Sequence, residues 1–492
     1  MELLSVSEMY QADRLAIEGG VSGITLMQAA GRGIATLIKE NVQTGRCLVL
    51  CGPGNNGGDG YVVAQALVDA GWHVDIVSIS DPDALTGDAA GMRELWTGPV
   101  QVITEINFDS YDLAVDALFG AGFSRELEPD VVSLLVAVKG ADIPVIAVDV
   151  PSGVNGDTGA VDPGAIPAIM TVSFFRAKTG HYLYPARGYC GLLQVIDIGI
   201  DDKYLAAINP GAQRNDPAIW VDYLIEPDPL DHKYSRGHVA IVGGAISSTG
   251  AARMAARASL RAGAGATTVV SPPSALSTYA AALEAVMVTS IATAEAFADW
   301  IRQKRIGTLL IGPGNGVNDR TRGFVLAALE GPANVILDAD ALTVFKNAPQ
   351  ALFEAIIAKP EGVCILTPHE AEFNRIFDVE GSKLERAKAA AQLSGAIVLL
   401  KGADTVVATP QGRAIINHNA PPFLAAAGSG DVLGGIICGL ISAGMPPFKA
   451  AAAATWIHGE AGNRLGQGLI AEDIESEIPA ILAGLSRSST VV

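Results

Sequence analysis

Apolar residues in this chain gather into short runs of about four to eight that alternate with stretches of helical period. In the first half, CLVLCGPG, HVDIVSIS, DLAVDALFG and PVIAVDVPSG are such runs, closing at Gly or Asp. Helical segments lie between them, among them 61–70 and 129–139. Near-continuous hydrophobic strands separated by helices predict a parallel sheet covered on both faces. The second half repeats the texture in GHVAIVGG, ATTVVSP, GTLLIGPG, NVILDADA, GVCILTPH and AIVLLKG, and DTVVATP with RAIINHN, joined by Gln411-Gly412, predicts a hairpin at the sheet edge. Between the halves, residues 209–236 carry four prolines and little periodicity. This predicts a first domain over 1–212, a linker over 213–230 and a second domain over 231–492. The halves share only the tetrapeptide GPGN, at 52–55 and 312–315, so they read as two different α/β domains, not a duplication.

Composition narrows the function. At 492 residues, 49 % apolar and 17 % charged, the chain is too long for one core and too apolar for disorder. A net charge of −19 argues against nucleic acid and anionic membrane as partners, because both are held mainly by Lys and Arg. No basic n-region precedes an apolar core at the start, and the longest uncharged run, 432–448, falls short of the ~20 residues of a spanning helix. Five cysteines without metal spacing predict reduced, buried thiols and a cytoplasmic protein. So alanine-rich a chain leaves homo-oligomerisation open.

Candidate chemistry collects at strand ends, where open α/β sheets bind ligands. GPGNNGGDG, at 52–60, holds five glycines and no Lys or Arg, which suits an anion met by bare backbone N–H groups at a helix start, or else a tight strand–helix turn. Asp116 and Asp149 end apolar strands, where an unpaired carboxylate is costly. They read as turn acids, or as one cation ligand and one proton carrier; Asn56, Asp116 and Ser152 would offer oxygen donors only, fit for a hard cation. In AAAGSGDVLGGII, at 425–437, Gly428, Ser429 and Gly430 start a helix and Asp431 lies in its first turn. Consecutive N–H groups there form an anion hole for a phosphoryl group in transfer, with Asp431 placed to take a proton from the attacking hydroxyl. His369, in TPHEAEF, reads as a packed histidine or a ligand contact. Asp338 and Asp340, in LDADAL, read as turn acids or as magnesium ligands.

GPGNNGGDG, DALFGAG, DVPSGVNGDTG and KTGHYLYPARGYCGLLQVIDIGI resemble the amino-terminal domain of the bifunctional NAD(P)H-hydrate repair enzymes, over nearly all of residues 1–205. The resemblance implies a Rossmann-like three-layer αβα domain that epimerises the R and S forms of hydrated NADH and NADPH beside a potassium ion. Asn55, Asn56, Gly57, Gly58 and Asp59, with Gly120, Ala121, Gly122, Phe123, Ser124, Arg125 and Glu126, would line the substrate. Asn56, Asp116 and Ser152 would hold potassium, and Asp149 would be the acid/base.

From 231 to 485, HKYSRGHVAIVGG, STGAARMAARASLRAGAG, IGPGNG, LDADALT, LTPHEAEF and AIVLLKGADTVV, together with GSGD, resemble the ribokinase-like α/β domain of the same family, the ADP-dependent dehydratase. This implies hydrate contacts from Ala251, Gly314, His369 and Asp431, and nucleotide contacts from Lys401, Gly402, Ala403, Asp404, Thr405, Gly428, Ser429 and Gly430. Asp431 would be the base, and ADP would arrive with magnesium. Two places depart from the family pattern: Gln28 and Ala29 after the methionine of LMQAAGRG, and Pro422-Phe423 where relatives carry Asn-Pro-Gly. The competing readings are a ribokinase-like kinase for a small alcohol such as a vitamin precursor, with an appended dinucleotide-binding domain, and a catalytically dead dinucleotide sensor.

Overall fold

The structure is a computed structural model that describes residues 2–101, 106–226 and 228–488, so Pro227 and the last four residues of the expected second domain lie outside the described residues. The chain divides into two compact units, one over 2–212 and one beginning at Gln213.

The first unit is built on a seven-stranded sheet in the spatial order Val100–Gln101, His73–Ser78, Arg46–Cys51, Leu113–Ala117, Val145–Val148, Met170–Phe174, Leu192–Ile196. Every pairing is parallel. Strand periodicity sends Cys47, Val49 and Cys51 into a core shared with helices Gly23–Asn41 and Asn55–Asp69, while Leu48 and Leu50 enter a second core with helix Pro129–Gly140. The result is three layers. From Arg46–Cys51 the chain moves outward to His73–Ser78, then returns to Leu113–Ala117 on the other side. Connections therefore diverge above the gap between Arg46–Cys51 and Leu113–Ala117, the topological switch point where such sheets bind ligands.

In the second unit the order is Met287–Ser290, Ala266–Ser271, His238–Val242, Thr308–Ile311, Asn334–Leu337, Cys364–Leu366, Ile397–Leu400, Val406–Ala408, Ala414–Ile416. The first seven strands are parallel and the last two antiparallel, forming the hairpin read from the sequence. The switch point falls between His238–Val242 and Thr308–Ile311. The segment read as a linker begins inside this unit: Asn215 N–H donates to Ile416 O at 2.8 Å, and Trp220 is fully buried with its Nε1–H on Asn215 Oδ1 at 3.1 Å.

Helix Ser429–Ser442 lies across the sheet against helix Thr249–Arg261, and small residues make the contact. A Cβ added to Gly435 would sit 2.3 Å from Ala255 O, and one on Gly439 2.4 Å from Ser259 O. All five cysteines are free and buried. No helix among the described residues is long and apolar enough to cross a membrane.

The close helix pair gives a test of opposite signs. Gly435→Ala should destabilise by about 1–3 kcal/mol through overpacking against backbone. Gly484→Ala, in helix Ala471–Ser488 with open space around its Cβ, should stabilise by roughly 0.5–1 kcal/mol. Urea unfolding of both variants checks this; equal effects would contradict the packing.

Candidate active sites

Above the first switch point lies a cleft of about 480 Å³, whose walls include Pro53, Gly54, Asn55, Asn56, Asp59, Leu118 to Phe123, Arg125, Asp149 and Lys178. Its floor depends on backbone touching backbone. A Cβ on Gly52 would fall 1.7 Å from Leu118 O, so only glycine passes there. The glycine stretch is more helical than its sequence suggests, because the helix starts at Asn55, not at Tyr61. Three of its glycines pack closely: a Cβ on Gly57 would meet Gly52 O at 2.0 Å, on Gly58 Met27 Sδ at 2.7 Å, and on Gly60 Ala117 Cβ at 2.8 Å. Gly57 and Gly58 are outside the cleft lining, as are Ser124 and Glu126. What reaches the cleft is the helix start itself, Gly54 to Asn56, with no side chain capping it. Uncapped N–H groups at a helix N-terminus attract an anion.

Asp149 is held in a strained and crowded position. Its φ of +66° places a non-glycine residue in the left-handed region. Oδ1 accepts from Lys178 Nζ at 2.7 Å and Ser173 Oγ at 3.0 Å; Oδ2 accepts from Ala121 N–H at 3.0 Å. His181 Nδ1 accepts from Lys178 N–H, so Nε2–H donates to the Asp149 carbonyl at 2.8 Å. Burial pushes the Asp149 carboxyl up, but the Lys178 ammonium and the hydrogen bonds outweigh it and hold it below its ordinary value. Burial drives His181 down to about 4, so its ring is neutral. Two more acids share the cleft. Burial pushes Asp13 up to about 6, opposed by Lys178 and assisted by Asp149. Burial, together with Asp149 and Asp13, sets Asp59 well above the usual range.

Asn56, Asp116 and Ser152 are all buried. Asp116 Oδ1 and Oδ2 accept from Ser152 Oγ at 2.6 Å and Ser152 N–H at 2.7 Å. Asn56 Nδ2 donates to Val148 O at 3.2 Å, and its Oδ1 lies 3.2 Å from where a Gly120 side chain would begin. Asp116 has no cationic side chain in salt-bridge range among the described residues, and burial raises its carboxyl despite those bonds. An all-oxygen set around a buried carboxylate lacking a counter-charge fits a hard monovalent cation.

The second switch point closes in the same way. A Cβ on Gly244 would lie 1.8 Å from Gly314 O, and one on Gly312 1.7 Å from Asp338 O. Asn315 stitches the gap: its Oδ1 accepts from Gly312 N–H at 2.8 Å and its Nδ2 donates to Val242 O at 2.8 Å. Gly314, with φ of +66°, stands beside Ala251: its added Cβ would lie 3.7 Å from that of Ala251. Two of the expected hydrate contacts are thereby brought together. His369 instead caps helix Glu370–Ile376, its Nδ1 accepting from Ala371 N–H at 3.1 Å and Glu372 N–H at 3.3 Å, with an exposed ring edge.

Around the GSGD turn, Lys401 Nζ pairs with Asp338 Oδ1 at 2.7 Å and stands 4.0 Å from Glu372 Oε2. Burial works against the ammonium, but Asp338, Glu372 and Asp431 outweigh it and hold it above its ordinary value. A Cβ on Gly430 would lie 3.5 Å from Lys401 Nζ, so the turn and the lysine share one small space. Burial pushes Asp431 up to about 6, with the Asp338 charge adding to the rise and Lys401 opposing it. The turn is not a row of three free donors. With φ of +87° at Gly428, the Ser429 N–H folds back to Ala426 O at 3.2 Å, whereas Gly430 N–H has no protein acceptor among the described residues. The 401–405 loop is pinned from behind: Lys383 Nζ donates to Asp404 Oδ1 at 2.6 Å and Lys401 O at 3.2 Å, and Thr405 Oγ1 accepts from Gly402 N–H at 3.1 Å. Ala403 lies in the same loop.

Comparison with known proteins agrees with both units. A family model described as NAD(P)H-hydrate dehydratase matches residues 239–479, and one described as YjeF-related protein N-terminus matches 23–180. A bifunctional NAD(P)H-hydrate repair enzyme of Salinibacter ruber is 35 % identical over 98 % of this chain and 96 % of its own length; one of Moorella thermoacetica is 34 % identical over 99 % and 97 %. The chain belongs to the bifunctional NAD(P)H-hydrate repair family. A ribokinase-like protein of Enterococcus faecalis superposes with a TM-score of 0.50 at 23 % identity, covering 56 % of this chain and 96 % of that one, which shows the fold.

Sequence reasoning within the repair family missed Lys178, Asp13, Asn315 and the partnership of Asp338 with Lys401. Lys178 carried a signal, the second of two cations, after Arg176, that follow the apolar run SFF; Asp13 is one of three acids on its amphipathic helix and carried none.

The Lys178–Asp149 pair makes a stability prediction. A depressed folded-state carboxyl contributes stability above its unfolded pKa and loses it as pH falls through the folded value. Lys178→Met should therefore cost about 3–5 kcal/mol at neutral pH, where it strands a buried carboxylate. The gap to wild type should narrow as pH falls, because the variant's unpaired Asp149 takes up its proton at a higher pH than the Lys178-paired carboxyl of wild type. Denaturant titrations at neutral and acidic pH check this, and a pH-independent gap would rule the pair out as its source.

Proposed function

We propose that this chain repairs hydrated NADH and NADPH: the first unit interconverts their R and S forms, and the second returns the S form to NADH or NADPH at the expense of ADP. The observation that carries the reading is one carboxylate with a shifted proton affinity at each switch point, beside backbone donors suited to phosphate.

In the first unit, the helix start at Gly54–Asn56 and the N–H groups of Gly120 and Gly122, which have no protein acceptor among the described residues, receive the dinucleotide. The hydrate carries its hydroxyl on a ring carbon next to nitrogen, so loss and return of water, or reversible ring opening, inverts that centre. Either route needs a proton given to and taken from oxygen. Asp149, kept ionised by Lys178, accepts it, and the Lys178 ammonium at 2.7 Å is the nearest source for its return. Asn56, Asp116 and Ser152 would hold a potassium ion, which supplies positive charge where the glycine turn has no lysine.

In the second unit, Asp431 takes the proton of the ring hydroxyl as that oxygen bonds to the β-phosphorus of ADP, and AMP leaves. Gly430 N–H and Lys401 balance the charge on the moving phosphoryl group. The ring nitrogen's lone pair then expels phosphate, and loss of a proton from the neighbouring carbon restores the dihydropyridine. Among the described residues no three His, Cys, Asp or Glu gather into a metal cage, so magnesium would be held mainly by the phosphates of ADP, with Asp338, whose Oδ2 lies 3.9 Å from where a Gly430 side chain would begin, the acid placed to assist.

Purified protein mixed with hydrated NADH and ADP should restore the reduced-nicotinamide absorbance, and its failure to do so would sink the proposal. Asp431→Asn should abolish recovery and spare epimerisation; Asp149→Asn should do the reverse. Because Asp431 must be ionised, recovery should fall as pH drops through about 6, and Asp338→Asn, which removes the neighbouring charge that raises it, should move that limb to lower pH.

A further inference from the structure

Helix Pro447–Leu465 carries a buried histidine that the phosphoryl-transfer scheme leaves unused. His458 is 8 % exposed, and its Nε2 lies 2.9 Å from Ser429 Oγ and 3.0 Å from the Ser429 carbonyl oxygen. A carbonyl only accepts, so Nε2 carries the hydrogen and shares it between two oxygens of one residue. Burial pushes this imidazole down to about 4, against the carbonyl bond and with help from Lys401, so the ring stays neutral. With Nε2–H directed at Oγ, the hydroxyl's own hydrogen points elsewhere, and no acceptor for it exists among the described residues. Ser429 cannot contribute its peptide N–H to an anion, because that group is turned to Ala426 O.

The same helix grips the chain entering the turn. Asn419 Nδ2 donates to Trp456 O at 2.9 Å, and Asn463 Nδ2 to Asn419 O at 2.8 Å. A Cβ on Gly459 would sit 2.3 Å from Asn419 Oδ1, and one on Gly462 2.9 Å from Pro421 Cγ. One rigid element thus fixes the segment before the turn and the residue that opens the catalytic helix.

We propose that His458 is a positioning residue of the anion hole, orienting the Ser429 hydroxyl so that its hydrogen joins the Gly430 N–H on the phosphoryl group in transfer. The proposal rests on the dehydratase reading. Ser429 becomes a side-chain donor, and His458 acts only through it. A threonine in place of Ser429 keeps the hydroxyl and the function.

Single-turnover and steady-state recovery of NADH, together with calorimetric binding of AMP plus aluminium fluoride as a mimic of the transferring group, test this on the full chain. Ser429→Ala should lower kcat by about 100-fold with little change in KM for ADP, the signature of a donor used in the transition state. His458→Leu should fall to the same level. Ser429→Thr and His458→Gln, which keep hydroxyl and N–H, should stay within about 10-fold of wild type, a smaller loss than that of one missing donor. The double variant His458→Leu/Ser429→Ala should be no slower than Ser429→Ala alone. Full activity of Ser429→Ala, equal damage by His458→Leu in both backgrounds, or no rescue by His458→Gln would each overturn the inference. Wild-type protein inert toward hydrated NADH overturns the dehydratase reading instead; the mimic then scores the same variants, with weakened binding expected in the same order and unchanged binding overturning the inference.

Discussion

Both sites depend on one steric constraint: at each switch point, main chain must touch main chain. Gly52 against Leu118 O and Gly244 against Gly314 O leave no room for a single carbon, and Gly312 against Asp338 O repeats the contact one strand gap further on. That contact brings the ends of two diverging connections within reach of one ligand, and it leaves backbone N–H groups beside the charged side chains that line the opening. A chain carrying a net charge of −19 therefore offers acidic coenzymes local sites of the opposite polarity.

The two carboxylates proposed as proton carriers show how one residue type is set to different tasks by its neighbours. Asp149 has a buried ammonium in contact and stays ionised. Asp431 faces a lysine already paired with Asp338, so burial and like charge dominate and its proton affinity rises. A group that must both give and take a proton is best kept beside a donor; a group that takes one proton during attack is served by an affinity close to the working pH.

Much of this was legible in the sequence, and the gaps have physical causes. Apolar runs ending at Gly or Asp located the strands and their chemically active ends, and Gln411-Gly412 marked the hairpin. GPGNNGGDG was read as a loop of donors, yet Gly57, Gly58 and Gly60 chiefly let a helix lie close to sheet and helix neighbours, since glycine in a sequence does not distinguish close packing from ligand approach. Residues 213–224 looked like linker because prolines mask an embedded Trp220. Lys178, Asn315 and the partnership of Asp338 with Lys401 escaped notice because their importance lies in pairings distant in sequence.

The five buried thiols have a consequence of their own. Burial pushes each of Cys47, Cys51, Cys190, Cys364 and Cys438 far above the usual thiol range, so none supplies a thiolate under physiological conditions. Sulfur is used here as hydrocarbon-like filler, and every reactive step is left to oxygen and nitrogen acids. Oxidants and electrophiles therefore find no ready thiolate among these cysteines.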